Sequence, residues 1–247
     1  MCYPLKRLQF CYICTHSKVM KRIYFSLVFS LNVYLCTAQI YEIGVFGGGS
    51  NFIGDVGATT FVAPEKLAIG GLLRWNRSPR HSYRASLLYT TLSADDRRSS
   101  DPRRKQRGYF FNAKVLELSL GMEFTFLDFD LHSEKFNFSP YLYTGISILS
   151  HRNFYYYNNE LIIGGGRSSA FGIPIGVGAK ITITKDIILS FEITPRYTFS
   201  DEIDGSVPDS VELDNLKFGN LNNNDWYVFS GFALTYTFGK NPCFCSY

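Results

Sequence analysis

The sequence predicts an all-β chain folded as an eight-stranded antiparallel up-and-down transmembrane β-barrel of the outer-membrane type. Three observations carry that prediction. The 247 residues include 22 Phe, 17 Tyr and 21 Gly against 3 Met, a mixture that favours strands and turns over helices. Strand-length segments of roughly ten residues recur about eight times. The connections between them alternate in length, short then long, as expected when short turns lie on one side of a membrane and long loops on the other.

Taken in order, residues 1–19 read as translation upstream of the real start, Met20. Residues 20–38, MKRIYFSLVFSLNVYLCTA, combine Lys21 and Arg22 with an apolar run and a small-residue end, which is a signal peptide with cleavage expected after Ala38. Cys36 invites a lipoprotein reading, but Leu35 stands where a small residue is expected. The barrel is expected over residues 39–240, followed by a periplasmic tail, 241–247. Its strands read as Ile40–Gly48, Leu67–Asn76, Ser82–Leu92, Val115–Phe126, Pro140–His151, Ala170–Thr182, Ile187–Phe199 and Trp226–Phe238. The connections after the second, fourth and sixth are short or moderate; those after the first, third, fifth and seventh are long, which places both termini in the periplasm. Pro174 and Pro195 fall inside strands, where each removes a ladder donor, and bulges are expected there.

Alternation then assigns the faces. Leu116, Leu118, Leu120, Met122, Phe124 and Phe126 share one side of the fourth strand, and Glu117, Ser119, Gly121, Glu123 and Thr125 the other. A soluble barrel would need Lys, Asp and Glu throughout its outer face. Here the polar side is mainly Gly, Ser and Thr, which suits the crowded interior of a small barrel, while the oily side suits lipid. The inward set is Glu42, Arg74, Arg84, Glu117, Glu123, Lys180, Glu192 and Arg196, four acids against four bases. Buried and balanced, they should pair and plug the lumen, with an ion or proton path as the competing reading. Trp75, Tyr89, Tyr155, Tyr156, Tyr157, Trp226, Tyr236 and Phe238 fit interfacial girdles.

No catalytic chemistry, cofactor or metal site is legible, and the chain is not expected to be an enzyme. After the signal peptide the histidines are His81, His132 and His151. His151 with Ser168 is the nearest approach to a lipid hydrolase, but no spacing supports it and an exposed histidine is expected. GVFGGGSNFIGD, residues 44–55, lacks the Lys and following helix of a phosphate loop. Cys243 and Cys245 form a C-x-C pair open to partner contact, with no His or Cys cluster to complete a metal site. The net charge of +4 comes largely from the first 22 residues and one loop, which sets nucleic acid aside. That loop, RRSSDPRRKQR, could meet lipopolysaccharide phosphates, although its interspersed Asp suits a solvated loop better.

Specific strings carry a family resemblance. EIGVFGGGSNFIGD, PEKLAIGGLLRWN, LELSLGMEFTF, SPYLYTGISI and FGIPIGVGAKITITKDIILSFEITPRYTFSDEIDGSV, in that order over residues 39–240, resemble the PorG-like outer-membrane barrels of Bacteroidetes associated with the type IX secretion system. The resemblance implies an eight-stranded barrel in contact with outer-membrane lipid that anchors or organises a periplasmic ring made by a lipoprotein and its soluble partner. It implies no catalytic residues. The alternative is a small OmpA-type barrel acting as a passive pore or adhesin.

Overall fold

In the computed structural model, which describes residues 40–131, 136–208, 211–220 and 222–239, eight antiparallel strands close into a ring in chain order. They are β1 (Ile40–Ile53), β2 (Lys66–Asn76), β3 (His81–Asp95), β4 (Phe110–Thr125), β5 (Phe138–Tyr157), β6 (Glu160–Thr184), β7 (Ile187–Thr198) and β8 (Trp226–Gly239). The expected signal peptide, Cys36, His132, Cys243, Cys245 and the tail lie outside the described residues. One helix, α1 (Pro102–Arg107), stands in the β3–β4 loop, where Asp101 caps its first turn and Gly108, at φ 71°, ends it.

Alternation sets the two faces as expected. Leu118 and Ile175 are about half exposed, at 46 % and 55 %, whereas Glu117, Glu192 and Arg196 are buried in the lumen. The outer wall carries a continuous apolar belt that includes Ile43, Leu73, Leu87, Leu116, Val177 and Phe232. A face of this size and composition is a lipid-facing surface. Aromatic pairs flank it, with Tyr41 stacked on Phe238 and Trp75 beside Tyr83 at the turn end, and Tyr197 against Trp226 and Phe199 at the loop end. Tyr156 departs from the girdle expectation. It is buried inward and stacked on Tyr109 at 4.0 Å, because the alternation that turns Tyr155 and Tyr157 outward turns it in.

Two further expectations are corrected. Residues 152–169, read as a long loop, continue β5 and β6 as a ribbon closed by Asn158 and Asn159, both with positive φ. Two left-handed residues make the tight turn that matches strand twist, and asparagine tolerates that conformation. Nor do the prolines produce bulges. Pairing steps from Thr144–Ile175 to Ser147–Gly172 beside Pro174, and from Pro174–Arg196 to Val177–Ile193 beside Pro195, with the register kept on both sides. In a closed barrel each strand is held by two neighbours, so a missing donor interrupts the ladder without letting the strand slip. The register shifts instead at Arg152/Phe154 and Thr182/Thr184.

Candidate functional site

The lumen has two storeys. All eight predicted residues face the lumen, each no more than 2 % exposed; six lie towards the turn end, while Glu117 sits midway along β4 and Arg196 near the loop end of β7. Five form an alternating chain. Arg74 donates from Nη1 to Glu42 at 3.0 Å and from Nε to Glu123 at 2.8 Å. Arg84 reaches the same Glu123 at 3.3 Å and grips Glu192 with both terminal nitrogens at 2.6 and 2.8 Å. Arg74 and Arg84 are direct cross-strand partners, an arrangement of like charges that is unfavourable alone. Glu123 bridges them, and Glu42 and Glu192 cover their far sides.

Arg196 and Glu117 make a second, separate pair, with Arg196 Nη2 3.2 Å from Glu117 Oε1. Arg196 also donates to the Thr194 carbonyl and lies over the Phe229 ring. Lys180 is the exception, because no carboxylate lies within 4 Å of it among the described residues. Its ammonium stands 4.9 Å from the centre of the Phe129 ring, donated by the β4–β5 connection, and lies within electrostatic reach of Glu42 and Glu123. It supplies the third positive charge that the acid–base–acid–base–acid chain needs for balance.

Several members of this network carry no charge and escaped the parity argument. Tyr141 donates to Glu192 at 2.8 Å, Tyr227 to Glu117 at 2.5 Å, Thr235 to Glu42 at 2.8 Å and Asn76 to Glu42 at 2.9 Å. Alternation placed them inward too, but a Tyr or Thr is equally at home on either face, so their type carried no signal. Buried carboxylates need these extra donors, since a salt bridge out of water offsets its desolvation only when the remaining lone pairs are satisfied.

The upper storey is apolar. Phe46, Leu88, Leu92, Phe111, Phe154 and Phe229 fill the lumen beneath Val56 and Ile203 from the loops. The loops are stitched together above it. Asp204 accepts from the Asp55 and Val56 amides at 2.8 and 3.1 Å, Asp96 accepts from the Gly57 and Tyr109 amides and from Arg107, and Arg104 donates to the Gly54 and Gly57 carbonyls. The segment RRSSDPRRKQR is therefore largely compensated, mostly by carboxylates outside it. Arg97 pairs with Asp95, Arg98 with Glu65, Arg103 with Asp101 and Arg107 with Asp96.

Asp55, Asp201, Asp204 and Asp225 crowd the junction of the first and last long loops. Burial, and then the neighbouring carboxylates, raise Asp201 to about 7 and hold Asp225 well above the usual carboxylate range; burial chiefly raises Asp204 as well. A folded-state pKa above the unfolded value means that the folded loop binds the extra protons. Its stabilisation is present below about pH 4 and is lost as pH rises towards 7. Amide exchange over residues 200–208, corrected for intrinsic rates, is expected to speed up across that window. Asp225→Asn, which can still accept from the Ile203 amide at 2.9 Å, should reduce the slope; an unchanged slope in the variant would contradict this account.

His151, expected to be exposed, is buried and faces inward, and the register sets Ser168 opposite it. The alternation that exposes Arg152 turns His151 in, so the pair faces away from the surface where a lipid substrate would lie.

Solved structures with a similar course include the N-terminal β-barrel domain of Pseudomonas aeruginosa OprF (11 % identity, TM-score 0.43, covering 82 % of this chain and 99 % of that one). Ail, the attachment invasion locus protein of Yersinia pestis, matches at 10 % identity and TM-score 0.44, over 81 % of this chain and 99 % of that one. A major outer membrane protein from Thermus thermophilus matches at 16 % identity and TM-score 0.41, over 81 % and 100 %. Similarity at this level is similarity of fold alone. No curated protein matches the chain in sequence. A family model does match, across residues 21–247, and the chain belongs to that family, DUF6089, described as a domain of unknown function.

Proposed function

We propose that this chain is an outer-membrane anchor: a sealed barrel, with both termini in the periplasm, that holds partners in place and neither conducts nor catalyses. The observation that supports this most is the filled lumen, with a paired charge network packed together with an aromatic core. Eight strands enclose a space that side chains can fill, and here they do. The resemblance to PorG-like barrels supplies the finer reading, in which the partners are the lipoprotein and soluble protein of a periplasmic secretion ring of the type IX system. The β4–β5 connection at the turn end presents exposed Leu127 and Phe136 for such a contact.

The test is recovery of ring components by crosslinking and co-purification after the turns at 77–80, 126–137 and 185–186 are replaced together. Loss of the ring with retention of the barrel supports the proposal; unchanged recovery rules out docking through those turns. In planar bilayers the wild-type chain should leave the conductance at the protein-free baseline.

A second reading, a barrel displaying an adhesive surface, rests on the ordered loop end and the β5–β6 ribbon that rises beyond β4 and β7. Binding of a surface ligand by wild type that is lost on trimming residues 153–166 would favour it.

A further inference from the structure

A second direct cross-strand arginine pair occurs in the sheet, and its setting is the opposite of the first. Arg152 on β5 faces Arg167 on β6, just as Arg74 faces Arg84. The luminal pair is bridged by Glu123. Among the described residues the outer pair has no carboxylate within 4 Å and Arg152 forms no ion pair; Arg167 donates to the Ser150 hydroxyl at 3.3 Å. Lys114 on β4 lines the same groove of about 320 Å³ with Asn112, Asn153 and Leu161, and no acid among the described residues contributes to its wall. Three cations thus converge where like charges across a strand pair are unfavourable. The surrounding loops do not share this property, since the arginines at 97, 98, 103 and 107 each have a carboxylate partner.

The position of the groove bears on which anion would fit it. Lys114, Arg152 and Arg167 all point to the outer wall. On β4 the cation comes two residues beyond Leu116, and on β6 four residues before Phe171, both part of the exposed apolar belt. At about 3.3 Å per residue the charges sit roughly 7–13 Å beyond those two side chains. Headgroups occupy a layer of about 5–8 Å immediately outside the hydrocarbon, which long arginine and lysine side chains can reach. The backbone there is shaped to open the site. Between the pairs Arg152–Arg167 and Phe154–Ile163, the single Asn153 stands opposite Gly164, Gly165 and Gly166, and Asn153 of this bulge lines the groove.

We propose that Lys114, Arg152 and Arg167 form a binding site for the phosphate groups of a phosphorylated glycolipid in the leaflet that surrounds the loop end. A guanidinium fork binds phosphate bidentately, and two forks with an ammonium match a lipid carrying more than one phosphate. The inference rests on the membrane reading above, and the two are tested separately.

Full-length barrel folded in detergent would be titrated with bis-phosphorylated lipid A and with the same lipid after removal of its phosphates, followed by native mass spectrometry. Wild type should prefer the phosphorylated lipid by roughly tenfold or more, and Arg152→Gln/Arg167→Gln should remove that preference, while Arg152→Lys/Arg167→Lys retains part of it. Equal binding by wild type and the glutamine variant would overturn the proposal, as would complete displacement of the lipid by inorganic phosphate at about the same concentration, which would mark a free-anion site. Flotation with liposomes reports on the membrane reading independently. If the wild type does not float, that reading fails whatever the lipid A result; if every variant floats and the phosphate preference is unaffected by the glutamines, only the site fails.

Discussion

Arg84→Met is expected to destabilise the barrel by about 3–5 kcal/mol, read as a lowered urea midpoint for folding into detergent or lipid, because it strands a buried carboxylate. Arg84 holds Glu192 with two hydrogen bonds and shares Glu123 with Arg74, and all of these side chains are shut off from solvent. Without the guanidinium, Glu123 keeps Arg74, while Glu192 keeps, among the described residues, only the Tyr141 hydroxyl as a side-chain donor. The comparison that isolates the cause is the double variant Arg84→Met/Glu192→Leu. It removes both charges together and should recover most of the loss, since an ion pair replaced whole by apolar groups is close to neutral. If the single variant unfolds at the wild-type midpoint, the network does not hold the lumen together in the way described.

Gly48→Val and Gly231→Val should each abolish the folded barrel, measured as loss of the compact, heat-sensitive band in unheated electrophoresis. These glycines face one another across the closure of β1 on β8. A Cβ on Gly48 would lie 2.3 Å from the Ser230 carbonyl oxygen and 2.6 Å from the Gly231 Cα; one on Gly231 would lie 2.5 Å from the Gly48 Cα. Both collisions are with backbone, so no rotamer change relieves them, and the strands would have to separate where the ring closes. Gly47 is the internal control. It points outward on the same strand, with nothing within 4 Å of its Cβ position, and Gly47→Val should fold normally. Failure of all three variants alike would point to a general intolerance of β1 to bulk and sink the seam account.

Much of the wall was legible before any coordinates. Strand period is a property of the backbone itself, so Glu117 and Leu118 could be sent to opposite faces from their neighbours in sequence alone. The same rule turned Glu42, Arg74, Arg84, Glu123, Lys180, Glu192 and Arg196 inward. It was silent where both parities are apolar, as at Val45 and Phe46, and so the aromatic upper storey went unread. Residues 152–169, read as a long connection, instead continue both strands, with Gly164, Gly165 and Gly166 in a bulge and Asn158 and Asn159 in a two-residue turn at the tip of a ribbon. Bulges expected at Pro174 and Pro195 failed because the register is imposed by both flanking strands.

By itself, then, the sequence determined the number of strands, their direction, which side of each meets lipid and which charges are enclosed, because those properties depend on residues only a few positions apart. Only the tertiary structure decided which acid meets which base, that β1 and β8 close through facing glycines, and that the basic loop is compensated while Arg152 and Arg167 are not. Arg84 and Glu192 lie 108 positions apart, and Asp55 and Asp204 149. Such pairings exist only once the register around the ring is set, and register is a collective property of all eight strands.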